Sequence, residues 1–318
     1  MVEYQIYRFI PTSPDLTFGK IIEKMIPLQN RLKQVSKMKR FLLIFTIVCC
    51  SSIVFSQSLL WEITSKNNKI SYLYGTIHIQ DKKVFAFDST VINALNSCEA
   101  FAAELLLDEI TTEASQAIFM KNNTIKNLTT NEQYRIIDST CKASAGHGIM
   151  LLNTMKPFFV LSYLQQTSMP KDVETALDVY LLQLARKNNQ TCYGLETFAD
   201  QIKAIDNISL ENQIDMLMES IKDTSNSYET LLDAYLNFDL NKLLDLLQDS
   251  NGASLSLDDM LVNNRNTTMA KQFAKIAKKQ TLFCAVGAGH LPGDKGIIAL
   301  LRKKGFTAKA IPFTWIGK

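Results

Sequence analysis

Ile70-Ser71-Tyr72-Leu73-Tyr74-Gly75-Thr76-Ile77-His78 decides the fold, because its pattern returns as Thr281-Leu282-Phe283-Cys284-Ala285-Val286-Gly287-Ala288-Gly289-His290. In each copy an apolar run too short for a helix is punctuated by a glycine, and a histidine follows three residues later. The reading is a strand, then a Gly-x-x-His exit loop whose glycine can take positive φ. Each copy is followed by a helical stretch (89–96, 295–304) and then another strand (100–106, 306–312). The chain has three histidines, so two of them in matched settings carry weight. If the two strands are neighbours in one sheet, both imidazoles emerge at the same end, where open α/β sheets place their ligands.

Working outward, residues 59–64 and 70–74 form a hairpin around 65–69, where Asn67 and Asn68 suit a tight turn. The strand after the first helix carries Glu104 inside the apolar run 101–107, and a carboxylate there needs a partner or a metal. Residues 130–141, 155–166 and 173–187 read as helices, 190–196 as a strand, and 209–277 as a second helical block. The fold class is therefore α/β: a central mixed sheet with an N-terminal hairpin and two strand–Gly-x-x-His–helix–strand units. Long helical insertions at about 109–190 and 209–277 form a cap over the sheet end. Gly287-Ala288-Gly289 stops short of a dinucleotide fingerprint, and no Walker sequence is present.

The chain has 318 residues, 47% of them hydrophobic, enough for a sizeable core. Its net charge of +3 is misplaced: residues 1–40 hold eight basic against three acidic residues, leaving 26 basic and 28 acidic beyond them. A body so nearly neutral gives no reason to expect a nucleic-acid partner. The basic pair Lys39-Arg40 precedes an uncharged apolar run, 41–55, giving residues 38–56 the outline of a signal peptide with a mature end near Gln57. The competing reading is an uncleaved anchor, although the run is shorter than the ~20 residues of a spanning helix. A lipidation site at Cys49 or Cys50 is the remaining variant and ranks below plain secretion, since Val48 is not small. Residues 1–37 read as an extension outside the fold, 57–318 as one domain, and the destination as the periplasm or the exterior. The membrane enters only through the leader segment, if uncleaved or lipidated.

Beyond the leader lie Cys98, Cys141, Cys192 and Cys284, which allow up to two disulfides or none. Five Asn-x-Ser/Thr sequons begin at Asn122, Asn127, Asn189, Asn207 and Asn266, relevant only in a glycosylating host. His147 has no preceding strand and reads as structural or exposed.

The ordered set Leu60-Trp61-Glu62-Ile63, 71–78, Glu104, Gly194-Leu195-Glu196-Thr197, Arg265-Asn266 and 285–293 resembles the TraB/PrgY/GumN family. Its relatives include the TIKI metalloproteases and, more distantly, the ChaN and erythromycin-esterase proteins. On the residues alone, His78, His290 and Glu104 offer two imidazoles and a carboxylate for a divalent ion, with positions left for water and substrate. The bland alternative is two unrelated loop histidines. The resemblance implies metal-dependent peptide hydrolysis at this site, with Arg265 as a site arginine and Glu196 as base or orienting group. Read alone, Arg265 suits a solvated surface and Glu196 the first turn of a helix. Gly75 and Gly287 shape the loops. The expected cofactor is a divalent metal ion (Mn2+, Co2+ or Zn2+), the expected partner a peptide or protein substrate. Alternatives from other classes are a peptide-sequestering protein of the TraB type and an esterase.

Overall fold

The computed structural model describes residues 57–223, 227–250 and 262–317, so the leader and the extension expected from the sequence lie outside the described residues. Leu60–Thr64 (β1) and Ile70–Thr76 (β2) form the antiparallel hairpin, with Asn68 at φ 57° closing its turn. Ser89–Asn96 (α1), capped by Asp88, crosses to Ala100–Ala103 (β3). Near the C-terminus the same sequence of elements recurs: Leu282–Gly287 (β5), Ile297–Lys303 (α10) and Thr307–Ile311 (β6). Between them lies Thr191–Gly194 (β4).

The six strands are ordered β4-β3-β5-β2-β1-β6. Strands β4, β3, β5 and β2 run parallel, and β1 is antiparallel to both β2 and β6. The two motif strands are thus direct neighbours, with Gly75 paired to Val286 and Thr76 to Gly287. The expected mixed sheet with two repeated units is what forms. β3 ends at Ala103, earlier than the apolar run suggested, because the backbone turns there and pairs loosely with the next strand's exit: Leu195 N–H donates to the Ala103 carbonyl and Glu196 N–H to that of Glu104. Glu104 consequently sits on an exit loop, beside the two histidine loops.

The insertions are helical, and two hydrophobic cores result. One surrounds the sheet, with Phe101, Phe283, Leu73 and Tyr74 fully buried. It receives Leu177–Lys187 (α4) and Asn264–Ala277 (α9). The second is built from Asn131–Ala145 (α2), Pro157–Ser168 (α3) and Leu210–Lys222 (α6), meeting through Ile137, Cys141, Val160 and Leu217. His147 belongs there, its Nε2 2.8 Å from the Tyr163 hydroxyl, which makes it structural. Phe198–Asp206 (α5) follows β4, and Ser227–Leu236 (α7) and Leu240–Ser250 (α8) form a helical pair beside the sheet end. Among the described residues the four cysteines are free thiols, three of them buried.

The helix expected over 173–187 begins only at Leu177. The reason is Gln80: its carbonyl accepts from Asp172 N–H and its side-chain amide donates to the carbonyls of Val173 and Glu174. That segment is held against the loop leaving β2, which delivers the first turn of α4 to His78.

Candidate functional site

Neither motif glycine has positive φ, contrary to the sequence-based expectation. What each supplies is room. A Cβ on Gly75 would lie 2.8 Å from Leu291 Cδ1 and 3.1 Å from Ala288 Cα, so the first glycine admits the loop of the second motif. A Cβ on Gly287 would stand 3.2 Å from Glu104 Oε1. With none there, Gly287 N–H donates to that oxygen at 2.7 Å.

The loops bring His290, Glu104, Glu196 and Arg265 into one cluster. Arg265 lies on the first turn of α9 and donates from Nη2 to Glu104 Oε2 at 2.6 Å and from Nε to Glu196 Oε2 at 2.9 Å. Its neighbour Asn266, 2% exposed, reaches the histidine instead, with Oδ1 2.6 Å from His290 Nδ1. The Asn266 amide nitrogen donates to the Lys295 carbonyl, which fixes the orientation of the side chain. Nδ1 of His290 is therefore the protonated nitrogen, and Nε2 carries a lone pair. That lone pair stands 3.7 Å from Glu104 Oε1. Two acceptors face each other at a spacing too long for a hydrogen bond.

His78 is arranged differently. Its Nδ1 is 2.9 Å from Asp178 Oδ2 on the first turn of α4, and its side chain is 56% exposed on the wall of a cleft. The second Asp178 oxygen and the Thr76 hydroxyl are buried without a hydrogen-bond partner.

The electrostatics separate the two imidazoles further. For His78, burial acts to lower the pKa, but the Asp178 hydrogen bond and charge, helped by Glu104, outweigh it and raise it to about 9. Burial dominates at His290, with Arg265 adding to it, and pushes it down to about 4. At Glu104 burial would raise the pKa; His290, Arg265, His78 and the Gly287 N–H together hold it well below the usual carboxylate range. Since His290 is neutral near pH 7, the permanent charge of Arg265 is the partner that counts. Glu196 is shifted upward, burial outweighing Arg265.

Glu196 precedes the N-cap of α5, and Thr197 with Asp200 forms the capping box there, so the helix end does not need this carboxylate. Its side chain, 2% exposed, is turned to Arg265. Among the described residues no three His, Cys, Asp or Glu side chains converge closely enough to hold an ion as they stand. Asp178 escaped sequence reasoning, its only signal being its place at a helix start; Asn266 stood beside Arg265 in the family pattern and began a sequon, but its contact with His290 was not foreseen, and its burial excludes glycosylation in the folded state.

A parallel-cored α/β sheet with paired histidine loops and a part-buried Glu–Arg–Glu cluster at its strand ends defines an α/β protein whose site is built on loops at the sheet end, beneath a helical cap. The sequence profile of the TraB/PrgY/gumN family matches residues 59–310, and the chain belongs to that family. It is 22% identical to "Metalloprotease TIKI homolog" of Amphimedon queenslandica, over 83% of this chain and 64% of that protein. To "Metalloprotease TIKI1" of Danio rerio it is 23% identical, over 80% of this chain and 63% of that protein. The chain thus spans less than two thirds of the length of either relative. No described helix is long and apolar enough to cross a membrane.

Proposed function

We propose that this chain is an exported metal-dependent hydrolase acting on peptide bonds, with His78, His290 and Glu104 as ligands of a divalent ion. The observation that carries the reading is the confrontation of His290 Nε2 with Glu104 Oε1 at 3.7 Å. Two donors each ~2.0–2.2 Å from a tetrahedral ion are separated by about 3.5 Å, so this pair is spaced as adjacent ligands are. Both imidazoles also hold Nδ1 on a side-chain oxygen, Asp178 for His78 and Asn266 for His290, the outer-shell pattern that orients ligating histidines through Nε2. The donor set, two nitrogens and a carboxylate, suits Zn2+, Co2+ or Mn2+.

A bound ion would supply an acidified water and a polarised carbonyl. The residues of the chain do the positioning. Arg265 takes one oxygen of Glu104 and leaves the other toward His290. Glu196 Oε2 sits against Nε and the same Nη2 of the guanidinium, and its near-complete burial favours this orienting role over contact with substrate. The names of the relatives support peptide hydrolysis as the reaction class, at an identity where the substrate does not transfer. Export rests on the leader-like segment 38–56.

Elemental analysis of the purified protein tests the site: about one equivalent of ion is expected, and none from His290→Ala or Glu104→Gln. Chelation should abolish cleavage of a peptide library, and Mn2+, Co2+ or Zn2+ should restore it. A second reading, a peptide-binding protein without turnover, is favoured by the largely apolar cleft that His78 lines. Metal-loaded protein that retains peptides uncut would establish that reading in place of the first.

A further inference from the structure

The described residues enclose a cleft of about 650 Å³ whose floor is formed by residues 76–79 and 287–289, the two motif loops. That volume suits a ligand of several residues rather than a single side chain. The cap supplies one wall, with Leu164 and Ile221, and the α7–α8 pair the other, with Leu231 and Leu246. Of the described residues that line it, none is Lys, Arg or Glu; the ionisable ones are His78, Asp223 and two tyrosines. Away from His78 and Asp223 a charged substrate side chain would leave water there without compensation, whereas an aliphatic or aromatic one gains by burial.

The wall is not wholly apolar. Gln165 projects from α3 among the aliphatic residues, exposed, with Thr140, Ser168 and Ser220 along the same wall. A peptide main chain presents one N–H and one C=O per residue and needs such partners. An acyl chain presents neither, so a wall of this kind fits a peptide better.

We infer that the cleft binds an extended apolar peptide segment, its Leu- or Phe-like side chains against Ile221, Leu231 and Leu246 and its main chain against Gln165. Only the fate of the bound chain rests on the hydrolase reading. The test is fluorescence polarisation with a labelled short Leu/Phe peptide carrying aza-residues at its central positions, which keep the main-chain N–H and C=O groups while resisting cleavage. It is run on the full protein as purified and again after chelation. The Leu/Phe peptide should bind in both preparations, and a Ser-substituted version should bind about tenfold or more weakly, the ratio expected when Leu-sized groups lose an apolar seat. Ile221→Ser and Leu246→Ser should each weaken the Leu/Phe peptide by about tenfold. Gln165→Ala, on an exposed position that leaves folding intact, should weaken it by about threefold. Equal binding of the Leu/Phe and Ser peptides by the wild-type protein would overturn the inference. So would binding of a dansylated dodecanoyl probe with no binding of the peptide, which would make this an acyl site. Because the probe is uncleavable, binding is read apart from turnover: a protein that binds it selectively yet leaves the ordinary peptide library uncut refutes the hydrolase reading and leaves this one standing.

Discussion

The two Gly-x-x-His motifs start from the same local sequence and neighbouring parallel strands, yet they hold their imidazoles in opposite states. His290 is 7% exposed, anchored on a neutral amide and pushed to about 4 by burial. His78 is mostly exposed, anchored on a carboxylate and raised to about 9. The difference comes from the partner that the tertiary fold brings to each ring: α9 supplies Asn266 and the charge of Arg265, whereas α4 supplies Asp178. A motif fixes where a ring leaves the sheet, and the packed helix fixes its charge.

The largest expected break in this comparison comes from the buried cluster that belongs to His290. Glu104→Gln removes the charge that Arg265 faces and is expected to cost about 3 kcal/mol of stability. Urea unfolding measures it, and a loss below about 1 kcal/mol would mean that Glu196 alone satisfies the arginine. Next, His290→Ala leaves the Asn266 carbonyl oxygen buried without a donor and is expected to cost about 2 kcal/mol. His78→Ala, at an exposed ring, should cost less than about 1 kcal/mol. Equal costs for the two alanine variants would erase the asymmetry. Within the proposed metal reading, Asp178→Asn should weaken metal affinity by about tenfold, read by chelator competition. The same substitution should bring the His78 pKa down, read by NMR titration; an unmoved value would show that Glu104 rather than Asp178 sets it.

The smallest effects lie in the pH dependence, where the two rings contribute with opposite signs. His78 has a folded pKa of about 9 against an ordinary 6.5, so its stabilisation is fully present below 6.5 and is lost as pH rises through 9. For His290 the folded value is about 4, so the unfolded chain binds the extra proton and stability falls as pH drops from 6.5 toward 4. Glu104, held low when folded, adds stability above its ordinary 4.5 that is lost below it. The midpoint of urea unfolding should therefore be broadest and highest around neutral pH and decline on both sides. In His78→Ala the alkaline decline should shrink while the acid one stays.

Much of the architecture was legible because β-strand and helix periodicities are local. The hairpin, the repeated strand–loop–helix–strand unit and the helical blocks follow from apolar spacing. The end of β3 at Ala103 was not legible, since hydrophobicity continues through Leu107 while strand pairing stops. Nor was the start of α4 at Leu177, which depends on hydrogen bonds from Gln80, some ninety residues away in sequence. For the cluster, the paired motif and the apolar run picked out His290 and Glu104, the family resemblance added Glu196 and Arg265, and the structure places these four in contact. Asp178 carried no signal of its own and Asn266 none that tied it to His290, because an acid at a helix start and an amide in a helix have no evident partner until a neighbour is known.

By itself the sequence determined that two histidines leave matched strands three residues after a glycine, since that depends only on residue order and backbone geometry. It also determined that a carboxylate follows an apolar strand and must find a partner. Tertiary structure alone decided why the glycines are glycines: Gly75 makes room for Ala288 and Leu291 of the other motif, and Gly287 for Glu104. It alone decided the charge of each ring, because a pKa is set by burial and by the groups within a few ångströms, and those come from helices far away in the chain.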